Sequence, residues 1–224
     1  MSKVFLIFAL LPMMIACSAT HQASSVKPSG FLGDYSQLKE GKSGEALLRY
    51  INPAADWKKY NKVMLYPVTI YAGKTTDLAK ANKEEQQALA GYFTAALREE
   101  LSKDYTLVSS AGPNVLKIRV AITDADESEP VLNTFTTIMP IGLAVSSLKR
   151  AVTGSDSFVG SAQAELEITD SQSGRRLAAV VDNRLGTKAL RSKFGGAWND
   201  AKYAFDYWAE TLRERLEELK NPDN

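Results

Sequence analysis

The most regular hydrophobic pattern lies in the second half of the chain. From Ala162 to Thr169, apolar and polar side chains alternate, and the sequence DSQSG then separates this run from a second one, RRLAAVVDNRLG. Alternation with a period of two predicts a strand whose two faces meet different environments. A turn that begins at Asp170 and contains Gly174 favours a reversal of the chain. We therefore predict a β-hairpin over residues 158–184.

Two long helices are predicted by apolar residues that recur every three or four positions. The first follows Asp77, whose side chain suits a helix N-cap, and the second closes the chain near Asn221. Their apolar stripes comprise Leu89, Tyr92, Phe93, Ala96, Leu97 and Leu101 in the first helix, and Trp198, Ala201, Phe205, Trp208, Leu212, Leu216 and Leu219 in the second.

The remaining patterns complete an α+β fold. The run KVMLYPVTIYAG from Lys62 and the alternation from Leu116 to Ile122 predict further strands, whereas residues 31–60 have no steady period and predict an irregular arm. We expect an antiparallel or mixed sheet of four to five strands, in the order β-α-β-β-β-α, with both long helices packed on one face. The other face is expected either to meet solvent or to lie under the arm and residues 134–154.

The amino terminus resembles a bacterial lipoprotein signal. A short basic start and an apolar run precede Met14-Ile15-Ala16-Cys17, which is similar to a lipobox with Met in place of the usual Leu. The resemblance implies a signal peptide over residues 1–16, cleavage after Ala16, and lipidation, including palmitate, at Cys17. Ser18 is not the Asp that marks retention at the inner membrane, which implies the outer membrane. The small polar residues up to position 30 predict a flexible, lipidated tether over 17–30.

Composition restricts the chemistry of the folded part. The chain has 27 Lys and Arg against 26 Asp and Glu, and removing residues 1–16 takes away only Lys3, which leaves the mature chain neutral. Neutrality gives no electrostatic reason to bind nucleic acid. His21 and Cys17 are the single histidine and cysteine. Both precede residue 30, so the folded region expected beyond it contains neither an imidazole nor a thiol. We therefore expect no Ser-His-Asp triad, Cys-His dyad or Cys/His zinc site within one chain, and no metal and no cofactor.

Residues 134–154 depart from the amphipathic pattern because they carry no charge from Thr134 to Leu148. The segment is too short and too interrupted by Pro140 and Gly142 to span a membrane. One interpretation is a crossover helix that packs on the sheet. The alternative is an exposed interface for a partner or for the bilayer surface, formed by Ile138, Met139, Ile141, Leu143, Val145 and Leu148.

Two carboxylates are the best candidates for acid–base chemistry. Glu165 and Glu167 lie two residues apart and therefore on one face of the predicted strand. Because Arg175 and Arg176 begin the returning strand, cross-strand ion pairs are the ordinary interpretation of the same residues. A carboxylate-dependent hydrolase of envelope material remains the alternative.

Several phrases of the sequence resemble the bacterial lipoproteins of the domain of unknown function 3313 family. They are FLGDYSQL, LRYINPAADWKKYNKVMLYPV, LKRAVTGSDSFVGSAQAELEITDSQSG and AAVVDNRLG. The resemblance implies no activity and no catalytic residue. Together with the anchor, it leads us to expect one domain over residues 31–221, held in the outer membrane through Cys17 and facing the periplasm. The expected role is binding or structural, with an envelope protein or the cell wall as partner.

Overall fold

Within the residues that the structure describes, the chain folds around a nine-stranded mixed sheet. The computed structural model describes residues 20–73, 76–125, 161–186 and 198–222. Its strands are β1 (Thr20–Gln22), β2 (Lys39–Glu40), β3 (Leu48–Ile51), β4 (Lys62–Leu65), β5 (Thr69–Ile70), β6 (Thr106–Leu107), β7 (Val115–Ala125), β8 (Ser161–Asp170) and β9 (Arg176–Gly186), and its helices are α1 (Asp77–Lys80), α2 (Lys83–Leu101) and α3 (Asn199–Lys220), with a 3-10 turn at Trp57–Lys59.

The order of strands along the sheet is β2-β3-β9-β8-β7-β4-β6, with β1 beside β9 and β5 beside β7. The pairs β4–β6, β4–β7 and β5–β7 are parallel, and the others are antiparallel. The α+β class is confirmed, but the expectation of four to five strands was too low. The additional strands are two to four residues long, and a segment of that length has no periodicity of its own to reveal it.

The predicted hairpin is confirmed as β8 and β9, which pair antiparallel with Leu166 opposite Val180. In the turn, Gly174 has φ of +69°, a conformation that glycine adopts without steric penalty. The Asp170 carboxylate accepts hydrogen bonds from the backbone N–H groups of Gln172 and Ser173, which fixes the start of the turn. The hairpin thus forms the centre of the sheet for the local reasons that the sequence indicates.

Helices α2 and α3 pack against the same face of the sheet. The rings of Phe93 and Phe205 stack with centroids 4.6 Å apart and planes 8° apart, joining the two helices in one core. The predicted N-cap at Asp77 was wrong for the long helix, because Asp77 opens the four-residue α1. Helix α2 instead begins after Asn82, which forms a reciprocal capping box with Glu85.

Residues 20–38 lie along the sheet, and from here on we call them the N-terminal arm. The irregular arm expected from the sequence was residues 31–60, but within that range residues 39–40 and 48–51 form β2 and β3. The sequence predicted a flexible tether up to residue 30, but β1 pairs antiparallel with β9, with Thr20 opposite Gly186. Leu32 packs on Ala179 and Val181, on the opposite face of the sheet from the helices. We call this side of the sheet the arm face and the other the helix face. The second face was expected either to meet solvent or to lie under the arm and residues 134–154. Within the described residues, the arm covers it.

None of the helices in the described ranges combines the length and apolar character that crossing a membrane requires.

Candidate functional site

Glu165, on the arm face of β8, holds the arm directly. One carboxylate oxygen accepts a hydrogen bond from the backbone N–H of Ser29, and the other accepts one from the hydroxyl of Tyr35, both at 2.6 Å. The Glu165 side chain is fully buried. Burying a carboxylate requires compensating donors, and the arm supplies two of them.

Glu167, two residues further along β8, bridges two arginines. Its Oε2 accepts from Arg119 on β7 at 2.6 Å, and its Oε1 accepts from Arg176 on β9 at 2.9 Å. Burial acts to raise the pKa of Glu167, but the hydrogen bonds from the two guanidinium groups outweigh it and lower that pKa. The cross-strand ion pair expected from the sequence is confirmed with Arg176 as the partner, and Arg119 is an addition that the sequence did not reveal.

Arg176 also extends this network to the arm. Its guanidinium donates to the backbone carbonyls of Asp34 at 2.7 Å and Leu32 at 3.0 Å. Gln163, on the same face of β8 as Glu165, also binds the arm, because its Nε2 donates a hydrogen bond to the backbone carbonyl of Lys27 at 2.8 Å. The polar face of the hairpin therefore holds the arm along residues 27–35.

This geometry limits acid–base chemistry at the two glutamates. A general acid or base must reach a proton of the substrate directly or through one water molecule. Both oxygens of Glu165 are engaged, and none of its surface is exposed. Glu167 is nine-tenths buried between its arginines. While the arm is in place, Glu165 binds the arm directly, and Glu167 positions Arg176, which donates hydrogen bonds to the arm. Within the described ranges, no cluster of three or more His, Cys, Asp and Glu has the arrangement of a metal site.

The helix face contains a cavity between α3 and the sheet, with a volume of about 280 Å³. Its lining is largely aliphatic and aromatic, and includes Leu166, Val180, Trp208, Leu212 and Leu216.

Asp182 is the buried charged residue of the cavity wall. Its carboxylate accepts hydrogen bonds from Trp208 Nε1 at 2.8 Å, from Gln22 Nε2 at 2.8 Å and from the backbone N–H of Leu47 at 3.2 Å. Arg184, two residues further along β9, donates to Thr20, and its guanidinium carbon lies 3.7 Å from the centroid of the Tyr207 ring. These contacts fix the start of the arm against α3.

The remaining predicted site residues lie outside the described ranges. They are the processing and lipidation residues Ala16, Cys17 and Ser18, and the predicted interface of Ile138, Met139, Ile141, Leu143, Val145 and Leu148. In turn, sequence reasoning missed Tyr35, Arg119 and Trp208 as ligands of buried carboxylates. A single Tyr or Arg in an aperiodic segment or an alternating strand carries no local signal of its partner, so pairing information was needed to find them.

Among solved structures, the chain is similar to a PelC dodecamer from Paraburkholderia phytofirmans, with a TM-score of 0.40, 9% identity, and coverage of 74% of this chain and 95% of that one. It is also similar to a putative neuraminyllactose-binding hemagglutinin homolog from Helicobacter pylori, with a TM-score of 0.35, 13% identity, and coverage of 77% and 91%.

Relatives found by sequence are more similar to this chain than these structures are. An uncharacterised lipoprotein of Escherichia coli, YdcL, is 30% identical over 182 residues, which cover 80% of this chain and 81% of that protein. Residues 27–212 match the family described as Protein of unknown function (DUF3313), and this range contains most of the arm, the hairpin and most of α3. The chain belongs to the DUF3313 family.

Proposed function

We propose that this protein is a lipid-anchored binding or structural protein of the bacterial cell envelope. Its anchor is Cys17, its membrane is the outer membrane, and its folded domain faces the periplasm. The observation that supports a binding or structural role is that both candidate carboxylates already have partners within the protein. Glu165 accepts hydrogen bonds from the arm, and Glu167 accepts hydrogen bonds from two arginines of the neighbouring strands.

The anchor is supported by the sequence around Cys17 and by the relative. The residues Met14 to Cys17 are similar to a lipobox, and the Escherichia coli relative is described as a lipoprotein. Several acyl chains on one cysteine would bind a bilayer firmly, since each buried methylene contributes about 0.8 kcal/mol. Strand β1 begins three residues after Cys17. Three extended residues span about 10 Å, so an anchor at this cysteine would hold the domain close to the membrane surface.

The partner that we propose is another envelope protein or the cell wall. The surface assigned to it is the uncharged segment from Thr134 to Leu148, whose apolar side chains suit a contact with a protein. Photo-crosslinking in intact cells from a reactive residue at Leu143 tests this assignment. Capture of one reproducible envelope partner supports it, and crosslinks confined to this domain count against it.

Replacing the anchoring thiol tests the proposed localisation. We expect Cys17→Ser to move the protein from the membrane to the soluble envelope fraction, because no acyl chain can then be attached through a thioether. We expect Ser18→Asp, which keeps the cysteine, to move it from the outer to the inner membrane. Fractionation and immunoblotting measure both. Membrane association of Cys17→Ser that equals the parent protein would refute the anchor.

A further inference from the structure

We propose that the cavity between α3 and the sheet binds the aliphatic chain of an amphiphile with an anionic head group. The inference concerns the folded domain and does not rest on the lipid at Cys17, so either proposal can fail without the other.

The walls of the cavity favour an aliphatic ligand. Two strands contribute Leu166, Ile168 and Val180, and the helices contribute Phe93 and Leu212 from the opposite side. Water is poorly accommodated in such a space, since each buried water needs two to four polar partners. An alkyl chain gains by leaving water for these walls, and gains more with each methylene that enters. The volume of about 280 Å³ fits about ten methylene groups, if each takes about the 30 Å³ of a water molecule.

The buried carboxylate in the cavity wall has its hydrogen-bond donors within the protein and does not need a polar ligand. Asp182 is the buried charged residue of the lining, and its two oxygens already accept three hydrogen bonds from Trp208, Gln22 and Leu47. The Trp208 indole N–H is satisfied by the same contact, which turns its ring towards the cavity as an apolar surface. The interior therefore selects for an apolar chain.

The mouth of the cavity is marked by its exposed charged residues. The side chains of Arg49 and Arg215 are 32% and 49% exposed, and each forms an ion pair with a partly exposed glutamate, Glu45 and Glu218 respectively. Arg215 also donates to the carbonyl of Gly44 at 2.9 Å, so α3 and the loop before β3 meet across the opening. Two arginines at the entrance of an apolar cavity suit an amphiphile that leaves its anionic head in the solvent.

The guanidinium groups of these two arginines make the site favour an anionic head group. A guanidinium binds carboxylate or phosphate through two parallel hydrogen bonds, whereas a hydroxyl offers no such pairing. A ligand carboxylate can replace the glutamate partners at little net loss, because exposed ion pairs contribute about 0–1 kcal/mol. We therefore expect an acid to bind better than the alcohol of the same chain length.

Photolabelling with a defined probe tests the site. Decanoic acid with a diazirine midway along the chain, a length that matches the volume of the cavity, is added to membranes that contain the full-length protein, and labelled peptides are mapped by mass spectrometry. We expect the label on the cavity walls, in residues 207–219 and 44–51. Labelling should fall about tenfold in Val180→Phe, because the ring takes the space of roughly two to three methylene groups. Leu107→Phe, also at a partly buried apolar position but outside the cavity, should label like the parent.

Two further experiments test the preference for the head group and the source of the aliphatic chain. The combined Arg49→Gln and Arg215→Gln protein should lose most of its preference for the acid over a diazirine decanol probe, whereas Arg98→Gln, at an exposed arginine elsewhere, should keep it. Soluble Cys17→Ser protein should give the same peptide map as the anchored protein. A map that disappears with Cys17 would overturn a free amphiphile as the ligand.

The site itself is refuted by label spread over the exposed surface, or by undiminished labelling of a Val180→Phe protein. Circular dichroism and tryptophan fluorescence confirm that each variant is folded. If Val180→Phe does not fold, Leu212→Phe, which narrows the cavity from the helix side, is the substitute with the same expected loss.

Discussion

The two faces of the hairpin are built from neighbouring residues of the same strands, yet they are stabilised in different ways. On the helix face, Leu166 and Ile168 join an apolar core with the stacked rings of Phe93 and Phe205. On the arm face, the alternate residue Glu165 is just as buried, but its contacts are hydrogen bonds to a segment more than a hundred residues earlier in the chain.

The comparison shows that alternation along a strand identifies two environments and does not say which is exposed. A polar face can be fully covered when a separate segment supplies donors and acceptors for it. The helix face gains stability from non-directional burial, which tolerates a cavity. The arm face depends on a small number of directional bonds, each with one particular partner. The two faces should therefore respond differently to substitution.

The largest effect should come from the helix face, with Phe205→Ala. This ring is fully buried and stacks on Phe93, so its removal takes away apolar contacts and leaves space that the core cannot fill completely. We expect the free energy of unfolding to fall by about 3–5 kcal/mol, measured by urea denaturation. Tyr66→Ala, which truncates an exposed ring, is the control and should change it by less than about 1 kcal/mol. Equal losses in both proteins would contradict the core assigned to α2 and α3.

A smaller and more local effect should come from the arm face, with Glu165→Gln. The amide group of the new side chain turns a donor towards Ser29 or Tyr35, which also donate. The unmatched donor should lower stability by about 1–3 kcal/mol.

Hydrogen exchange distinguishes local from global loosening in that variant. We expect faster amide exchange in residues 29–35 and unchanged protection in α3, because the arm can leave the sheet while the helix face stays packed. Tyr35→Phe, which removes one of the two hydrogen bonds, should show the same pattern more weakly. Uniform loss of protection over the whole domain would show that the two faces are not independent.

The smallest effect should come from Asp170, a partly buried residue of the hairpin turn whose contribution to stability depends on pH. The backbone N–H of Ser173 is the main cause that lowers the pKa of Asp170 to about 2, with help from the Tyr60 hydroxyl and against the effect of burial. Because this lies below the ordinary value of 3.8, the stabilisation is present above about pH 4 and is lost as the pH falls towards 2.

Urea denaturation from pH 6 to pH 2 measures this contribution. We expect Asp170→Asn to flatten the part of the profile between about pH 4 and pH 2. Part of the loss of stability in acid that this variant still shows should come from protonation of Glu167, whose pKa is also lowered. A profile unchanged by Asp170→Asn would show that the turn does not depend on the charge of this carboxylate.

Local patterns were sufficient for the elements that carry their own periodicity. The alternation in β8, the Asp170 and Gly174 turn, and the apolar stripes of α2 and α3 predicted the hairpin and both long helices. They were insufficient for the candidate site. The ion pair of Glu167 with Arg176 followed from adjacent strands, whereas Arg119 required the pairing of β7 with β8, and sequence spacing does not set that register.

The arm shows most clearly which features follow from the sequence alone and which depend on tertiary contacts. By itself, the sequence determined the α+β class, the central hairpin, the two amphipathic helices and the position of the lone Cys17 near the amino terminus, because periodicity and composition are local properties. Only the tertiary structure decided that residues 27–35 cover the polar face and that a cavity remains beneath α3. Strands of two to four residues gain their stability from pairing with β9 and other distant partners, and a cavity is defined by the side chains of several elements at once.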